Sequence, residues 1–296
     1  MKPERAPRAT MDRSSTAFVL AGGGSLGAIQ VGMLAELVNA GVKPDLIVGV
    51  SAGALNGAFF AHDPSAAMVG TMAALWAGVT TRQILGLSWR SLLGVLGLRE
   101  HLTDSVGLRR ILERFLPYRR FEDTAVPLHV IAADLITGQE VVLTSGSIIE
   151  AVLASTAIPG VFPAVELRGR LLVDGAVAAR SPISVATALG AQRLIVLPCG
   201  FACAGASVSA SALGRAMHAI TLLGAGQLRR DFEHYHGSVD IHVVPPLCPL
   251  SQSCYDYSRG SDLFARGRLS TRAWIAGGGL QSISFPGELM EHHHAA

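Results

Sequence analysis

Residues 45–61 read DLIVGVSAGALNGAFFA, an apolar run followed by an abrupt small-residue turn and a helical pattern. The centre of this stretch, Gly49-Val50-Ser51-Ala52-Gly53, has the form G-x-S-x-G, which places a serine on a sharp turn between a strand and a helix. Small residues are needed two positions before and after the serine, because larger side chains would clash there. The pattern predicts a nucleophile at Ser51, with Gly49 and Gly53 as the glycines of the turn.

Five residues alone prove little, since a chain with 33 Gly among 296 residues is expected to contain this pattern about 0.3 times by chance. The alternative is a glycine-rich turn in which Ser51 only caps the following helix. The strand–turn–helix context favours the nucleophile, because a helix N-terminus directs N–H groups and its positive dipole towards a developing oxyanion.

A second glycine-rich segment, GGGSLG at 22–27, follows the first predicted strand and precedes a helix for which Ser25 is the predicted N-cap. It matches the dinucleotide fingerprint G-x-G-x-x-G, and it also suits an oxyanion hole built from backbone N–H groups. Dinucleotide binding expects an acidic residue at the end of the second strand. That strand ends at Val50, and its acidic residue, Asp45, lies at the other end. The oxyanion hole is therefore favoured.

Short apolar runs alternate with longer helical patterns along the chain, which predicts an α/β fold with a mostly parallel central sheet sandwiched by helices. Half of the residues are hydrophobic, 16% are charged and the formal net charge is +2. This composition excludes a disordered chain and argues against a nucleic-acid partner. The predicted organisation is a disordered tail at 1–15, a catalytic core at 16–198, a helical C-terminal part of the same domain at 199–278 and a tail at 279–296.

No segment has the length and hydrophobicity of a signal peptide or a membrane span, because Gly, Ser and Pro interrupt each charge-free stretch. We therefore expect a cytoplasmic protein that can be peripheral to a membrane. The four cysteines form no C-x-x-C pair, so free thiols are expected and no zinc site is predicted. The oligomeric state is left open by the sequence.

A serine nucleophile needs a base, and Asp174 stands at the end of a predicted strand with Gly175 beside it. Active-site groups of open α/β sheets collect at the carboxyl ends of strands, although Asp-Gly is also a common turn. A Ser…Asp…His order is arithmetically possible, but none of the downstream histidines lies in a motif. Among these histidines are His218, His234, His236 and His242.

These residues resemble the patatin-like phospholipase family, over about 16–198 with weaker similarity to about 278. The resemblance rests on the glycine segment at 22–27, the G-x-S-x-G at 49–53 and the block Asp174-Gly175-Ala176. It is strengthened by AADLITG at 132–138 and ASTAIPGVFPAVE at 154–166.

The resemblance implies a dyad of Ser51 and Asp174 without a catalytic histidine. It implies hydrolysis of lipid acyl esters through an acyl-Ser51 intermediate, at a membrane or micelle surface and without metal or cofactor. The implied oxyanion hole is formed by Gly22, Gly23, Gly24, Gly27 and Ala52. Two alternatives stay open: a catalytically silent lipid-binding or scaffold protein with the same fold, and a dinucleotide-binding protein.

Two features stand apart from this interpretation. Leu26 occupies a position where the family usually has Arg or Lys, which puts a preference for anionic phospholipids in doubt. The stretch ILGLSWRSLLGVLGL at 84–98 carries a single charge, Arg90, beside Trp89. Its composition suits either an interfacial lid over the acyl site or a core helix packed on the sheet, and we favour the lid.

Overall fold

The structure, a computed structural model, describes residues 15–86, 101–178, 181–199, 212–250 and 252–289. The strands are β1 (Thr16–Leu20), β2 (Leu46–Val50), β3 (Leu128–Asp134), β4 (Glu140–Leu143), β5 (Val165–Leu167), β6 (Arg170–Asp174), β7 (Arg193–Leu197) and β8 (Asp240–Val243). The helices are α1 (Gly27–Asn39), α2 (Ala52–His62), α3 (Ala66–Gly78), α4 (Thr81–Leu85), α5 (Val106–Phe115), α6 (Ile148–Ser155), α7 (Pro182–Ala188), α8 (Ala212–Tyr235) and α9 (Gly260–Ala276). None of the helices within these ranges is long and apolar enough to cross a bilayer.

One mixed sheet of eight strands in the order β5-β6-β3-β2-β1-β7-β8 organises the described chain, with β4 also paired to β3. The five strands β3, β2, β1, β7 and β8 run parallel. β4 and β6 pair with β3 in the antiparallel sense, and β5 pairs with β6 in the same way. The predicted α/β fold with a mostly parallel sheet is therefore confirmed.

Helices cover both faces of this sheet, as the side chains of β1 show. Phe18 and Leu20 belong to the large apolar cluster formed with α1, α2, α3 and α6. Ala17 and Val19 belong to a second cluster, which includes residues of α7 and α8 on the opposite face. Alternate residues of a strand point to opposite faces. A continuous apolar run therefore fills both layers of core, which is typical of buried parallel strands.

The start of α1 differs from the prediction. The glycine segment forms a short 3-10 turn over Gly24–Leu26 before α1 begins at Gly27. Ser25 is inside this turn, where its hydroxyl donates to the carbonyl of Ser253 at 3.2 Å. The predicted N-cap role of Ser25 is therefore wrong, because the turn directs its side chain to the C-terminal part of the chain.

The chain between residues 65 and 86 forms two separate helices, α3 and α4. Thr80 and Gln83 form a capping box at the start of α4. Gly86 then ends that helix in the left-handed conformation, with a φ of 47°, as glycines often do at helix C-termini. Most of the predicted lid or core helix at 84–98 lies outside the described residues.

Residues 279–289, which were assigned to a tail, pack against the sheet. Leu289 is buried in the cluster on the face of α7 and α8, and Phe285 packs against Phe232 of α8. The guanidinium of Arg193 donates to the carbonyl of Leu280 at 3.1 Å. Apolar side chains hold this segment because burying them removes their surface from water.

The backbones of α1 and α9 touch at two glycines. A Cβ at Gly32 would lie 2.4 Å from the carbonyl oxygen of Phe264. One at Gly267 would lie 2.6 Å from the carbonyl oxygen of Ile29. Because backbone atoms cannot rotate away as a side chain can, the two helices need glycine at both positions.

We predict that Gly32→Ala lowers the free energy of unfolding by about 1–3 kcal/mol, the usual range for overpacking a close contact. Gly70→Ala is the matched control, because Gly70 is inside α3 and a Cβ there would meet nothing within 4 Å. That change should stabilise the protein by up to about 1 kcal/mol through helix propensity. Thermal melts of both variants test this, and equal effects of the two would contradict the close packing of α1 on α9.

Candidate active site

Ser51 occupies the turn between β2 and α2 in a strained conformation. Its φ of 54° and ψ of −122° are unusual for a residue with a side chain. The turn is tight on both sides: a Cβ at Gly49 would lie 2.6 Å from the carbonyl oxygen of Gly53, and one at Gly53 would lie 2.1 Å from that of Leu20. Both positions therefore require glycine.

The register of β3 brings Asp174 to Ser51. Two consecutive residues of β3 pair with the last residues of its two neighbouring strands. Ile131 pairs with Val50 of β2, and Ala132 pairs with Asp174 of the antiparallel strand β6. The Ser51 hydroxyl donates to Asp174 Oδ2 at 2.6 Å. It makes no capping hydrogen bond to α2, which disfavours the alternative in which Ser51 is an ordinary N-cap.

Asp174 is only 3% exposed. Burial raises its pKa to about 6, against the lowering effect of two hydrogen bonds from Ser51 and from the backbone of Ala176. The Ala176 N–H donates to Asp174 Oδ1 at 2.8 Å. Because this bond fixes Oδ1, Oδ2 remains directed at the Ser51 hydroxyl.

Ser155 is a residue of the site that the sequence reasoning missed. Its buried hydroxyl accepts the Ser51 N–H at 2.9 Å and donates to the carbonyl of Ile131 at 2.6 Å. These two bonds tie the strained turn to β3. The Ser51 N–H is thereby occupied, so an oxyanion hole needs N–H groups from other residues.

The glycine segment passes directly beside the nucleophile. A Cβ at Gly22 would lie 3.2 Å from Ser51 Cβ and 3.9 Å from its Oγ. Within the described ranges, the N–H groups of four residues of the predicted oxyanion hole have no acceptor; they are Gly22, Gly23, Gly24 and Ala52.

Gly27 differs from those four residues, although it was predicted with them. Its N–H donates to the carbonyls of Gly24 and Ser25 within the 3-10 turn, so it is not available to an oxyanion. A Cβ at this position would lie 2.6 Å from the Trp76 ring. The glycine is therefore required for packing.

A buried polar network holds both ends of the glycine segment, and the sequence reasoning missed it. The Gln30 amide donates to the carbonyl of Ala21 at 2.8 Å, and the Asn56 amide donates to the carbonyl of Gly27 at 2.9 Å. Asn56 also donates to the Gln30 side chain, and it accepts the Trp76 N–H, each at 2.9 Å. Single amides within the apolar helices α1 and α2 are the sequence signal that could have revealed it.

Leu26, the departure from the family pattern, is 6% exposed and belongs to the large apolar cluster. Its backbone N–H donates to the carbonyl of Gly23 at 3.2 Å. The side chain therefore contributes to the core instead of placing a charge beside the glycine segment.

His218, His234, His236 and His242 line neither of the cavities that Ser51 borders. His242 is buried in β8, where its Nδ1 is 3.1 Å from the carbonyl oxygen of Gly279. His234 and His236 are exposed at the end of α8, and His218 is half-buried on the same helix. No described histidine lines either of the two cavities that Ser51 borders.

The family model described as patatin-like phospholipase matches residues 18–187. This range is more than half of the chain and contains both Ser51 and Asp174. The protein belongs to the patatin-like phospholipase family.

Similar sequences occur in animals and bacteria. The chain is 32% identical to patatin-like phospholipase domain-containing protein 7 of Mus musculus over 192 residues, which are 63% of this chain and 14% of that protein. It is 32% identical to an uncharacterized NTE family protein of Mycobacterium bovis over 177 residues, 58% of this chain and 28% of that one. The chain thus spans a small part of the length of these relatives.

Among solved structures, the chain is similar to one in the ExoU–SpcU complex from the type III secretion system of Pseudomonas aeruginosa. The TM-score is 0.44 and the sequence identity 16%, over 90% of this chain and 52% of the other.

We predict that Asp174→Asn stabilises the folded protein at neutral and alkaline pH. The pKa of Asp174 rises from its ordinary value of 3.8 to about 6 on folding, so the folded state holds a proton that the unfolded state releases between these values. The wild type therefore loses stability as pH rises from 4 to 6, by at most about 3 kcal/mol. The side-chain amide of the variant does not ionise, so the variant does not lose stability in this way.

Thermal or urea unfolding of both proteins at about pH 4 and pH 8 tests this prediction. The variant should be the more stable protein at pH 8, and its advantage should be smaller at pH 4. An advantage of the same size at both pH values would show that burial of the charge is not its source.

Proposed function

We propose that this protein is a serine hydrolase that cleaves carboxylic esters of lipids. Ser51 is the proposed nucleophile and Asp174 the proposed base. One observation carries the proposal: the buried Ser51 hydroxyl donates a 2.6 Å hydrogen bond to the Asp174 carboxylate. A nucleophile in direct contact with a base is the arrangement that covalent catalysis requires.

In the proposed acylation step, Ser51 Oγ attacks the acyl carbonyl carbon while its proton passes to Asp174 Oδ2. A carboxylate with a pKa of about 6 is a better base than an ordinary aspartate and is still ionised at pH 7. The negative charge on the carbonyl oxygen is stabilised by N–H groups of Gly22, Gly23, Gly24 and Ala52.

Collapse of this intermediate breaks the ester C–O bond, and the proton on Asp174 passes to the departing alcohol oxygen. An acyl-Ser51 ester remains. Water then attacks this ester while Asp174 accepts a proton, and breakdown returns that proton to Ser51 Oγ and releases the fatty acid. The same two side chains therefore suffice for both half-reactions.

Family membership supports a lipid as the substrate. The cavity shared by Ser51 and Asp174 is also lined largely by apolar residues, among them Ile158, Phe162 and Leu228. An apolar site suits an acyl ester presented by a membrane or micelle surface.

The alternative of a silent lipid-binding protein is less well supported. Such a protein has no need of a serine held at positive φ, or of a buried carboxylate with a raised pKa beside it. Both features oppose folding and are expected where chemistry requires them.

We predict that a fluorophosphonate probe labels Ser51 covalently, because an activated serine attacks phosphorus as it attacks an acyl carbon. Mass spectrometry of the intact protein and its peptides locates the label, and hydrolysis of a soluble ester is measured in parallel. Ser51→Ala should lose both labelling and hydrolysis.

Two controls accompany this experiment. Asp174→Asn should lose turnover while remaining folded, and alanine at His218, His234, His236 or His242 should each leave most activity in place. A histidine variant as inactive as Asp174→Asn would reveal a conventional triad. Equal labelling of Ser51→Ala and wild type would exclude Ser51 as the nucleophile.

A further inference from the structure

Ser51 lies where two cavities meet. The first, the Asp174 lobe, has a volume of about 130 Å³, and its lining includes Asp174, Gly22, Gly23 and residues of α8. The second, the apolar lobe, has a volume of about 50 Å³ and is lined by residues of α2, α3, α4 and α5. Five residues line both lobes: Gly24, Ser51, Ile158, Phe162 and Tyr257.

The two lobes differ in chemistry. The described residues that line the apolar lobe include no charged side chain; most are aliphatic or aromatic, such as Leu55, Leu75 and Leu108. The Asp174 lobe is largely apolar too, but its lining also includes Asp174 and Gln227. A substrate bound at Ser51 can therefore place a purely apolar part in the apolar lobe and a part that carries polar groups in the Asp174 lobe.

The proton path determines which part of an ester enters which lobe. After attack, the Ser51 proton is on Asp174, and the departing alcohol oxygen must receive it as the C–O bond breaks. That oxygen must therefore lie within hydrogen-bond reach of Asp174, on the side of the Asp174 lobe. The acyl chain is bonded to the same carbonyl carbon and has to extend in another direction.

We propose that the apolar lobe binds the first carbons of the substrate's acyl chain and that the Asp174 lobe binds its alcohol portion. This inference rests on the proposed ester hydrolysis and adds a site for each half of the substrate. Leu108 of α5, which is 6% exposed, lines the acyl site. Leu228 of α8, which is 7% exposed, lines the alcohol site.

These two leucines provide matched variants, because each lines only one lobe and neither belongs to the dyad. Leu108→Trp fills the apolar lobe and should reduce kcat/KM for long acyl chains relative to acetate by about tenfold or more. It should leave the preference among alcohols unchanged. Leu228→Trp should change the preference among alcohols and leave the preference among acyl chains unchanged. Leu108→Phe and Leu228→Phe serve in place of any tryptophan variant that fails to fold.

The test uses two ester series. In the first, p-nitrophenyl esters from acetate to palmitate vary the acyl chain with one leaving group; in the second, butyrate esters of different alcohols vary the leaving group. A change of the acyl-length profile only in the Leu108 variants supports the assignment. A change of that profile in the Leu228 variants, or an unchanged profile in the Leu108 variants, overturns it. Failure of the wild type to hydrolyse any ester would instead overturn the proposed function, together with this inference.

Discussion

A buried carboxylate facing a serine hydroxyl is the constraint on which the rest of this structure depends. Removing a charged carboxyl group from water is unfavourable unless its oxygens are hydrogen-bonded. Asp174 has two such partners, the hydroxyl of Ser51 and the N–H of Ala176. They offset only part of the cost, as the raised pKa of Asp174 shows. We interpret the remaining cost as the source of its basicity, so that function and stability oppose each other at this residue.

The surrounding elements maintain this contact. The antiparallel strand β6 pairs with β3, whose register brings Asp174 to the end of β2. The strained turn at Ser51 is fixed by Ser155 from one side. From the other side, the Gln30–Asn56–Trp76 network holds the glycine segment. Because each of these groups is buried, the network stabilises the fold most when every hydrogen bond in it is formed.

Local patterns predicted the parts of this structure that depend on local chemistry. The apolar run that ends at Val50 forms β2, and the small-residue pattern after Ser51 forms α2, as the strand–turn–helix pattern predicted. Asp174 was associated with Ser51 by the family resemblance and by its place at a strand end, and the structure puts the two side chains in contact. Their catalytic roles stay predictions.

Contacts between distant parts of the chain were beyond the reach of such patterns. Ser155 and Ser51 are separated by 104 positions, and nothing in the local sequence of either indicates the other. Serine is a common N-cap residue, but the Ser25 hydroxyl donates to the carbonyl of Ser253, 228 positions away. Residues 279–289 were assigned to a tail because the C-terminal segment was judged too short to fold. Tertiary packing decided all three cases.

The pH dependence of kcat/KM on a soluble ester tests the central claim most directly, measured from about pH 4.5 to 8.5 in wild type and Asp174→Asn. If Asp174 is the base, kcat/KM of the wild type rises with pH through an apparent pKa near 6 and then levels off. Asp174→Asn should have a much lower value without that transition. The account would be contradicted if the same transition persisted in Asp174→Asn, because another group would then be the base.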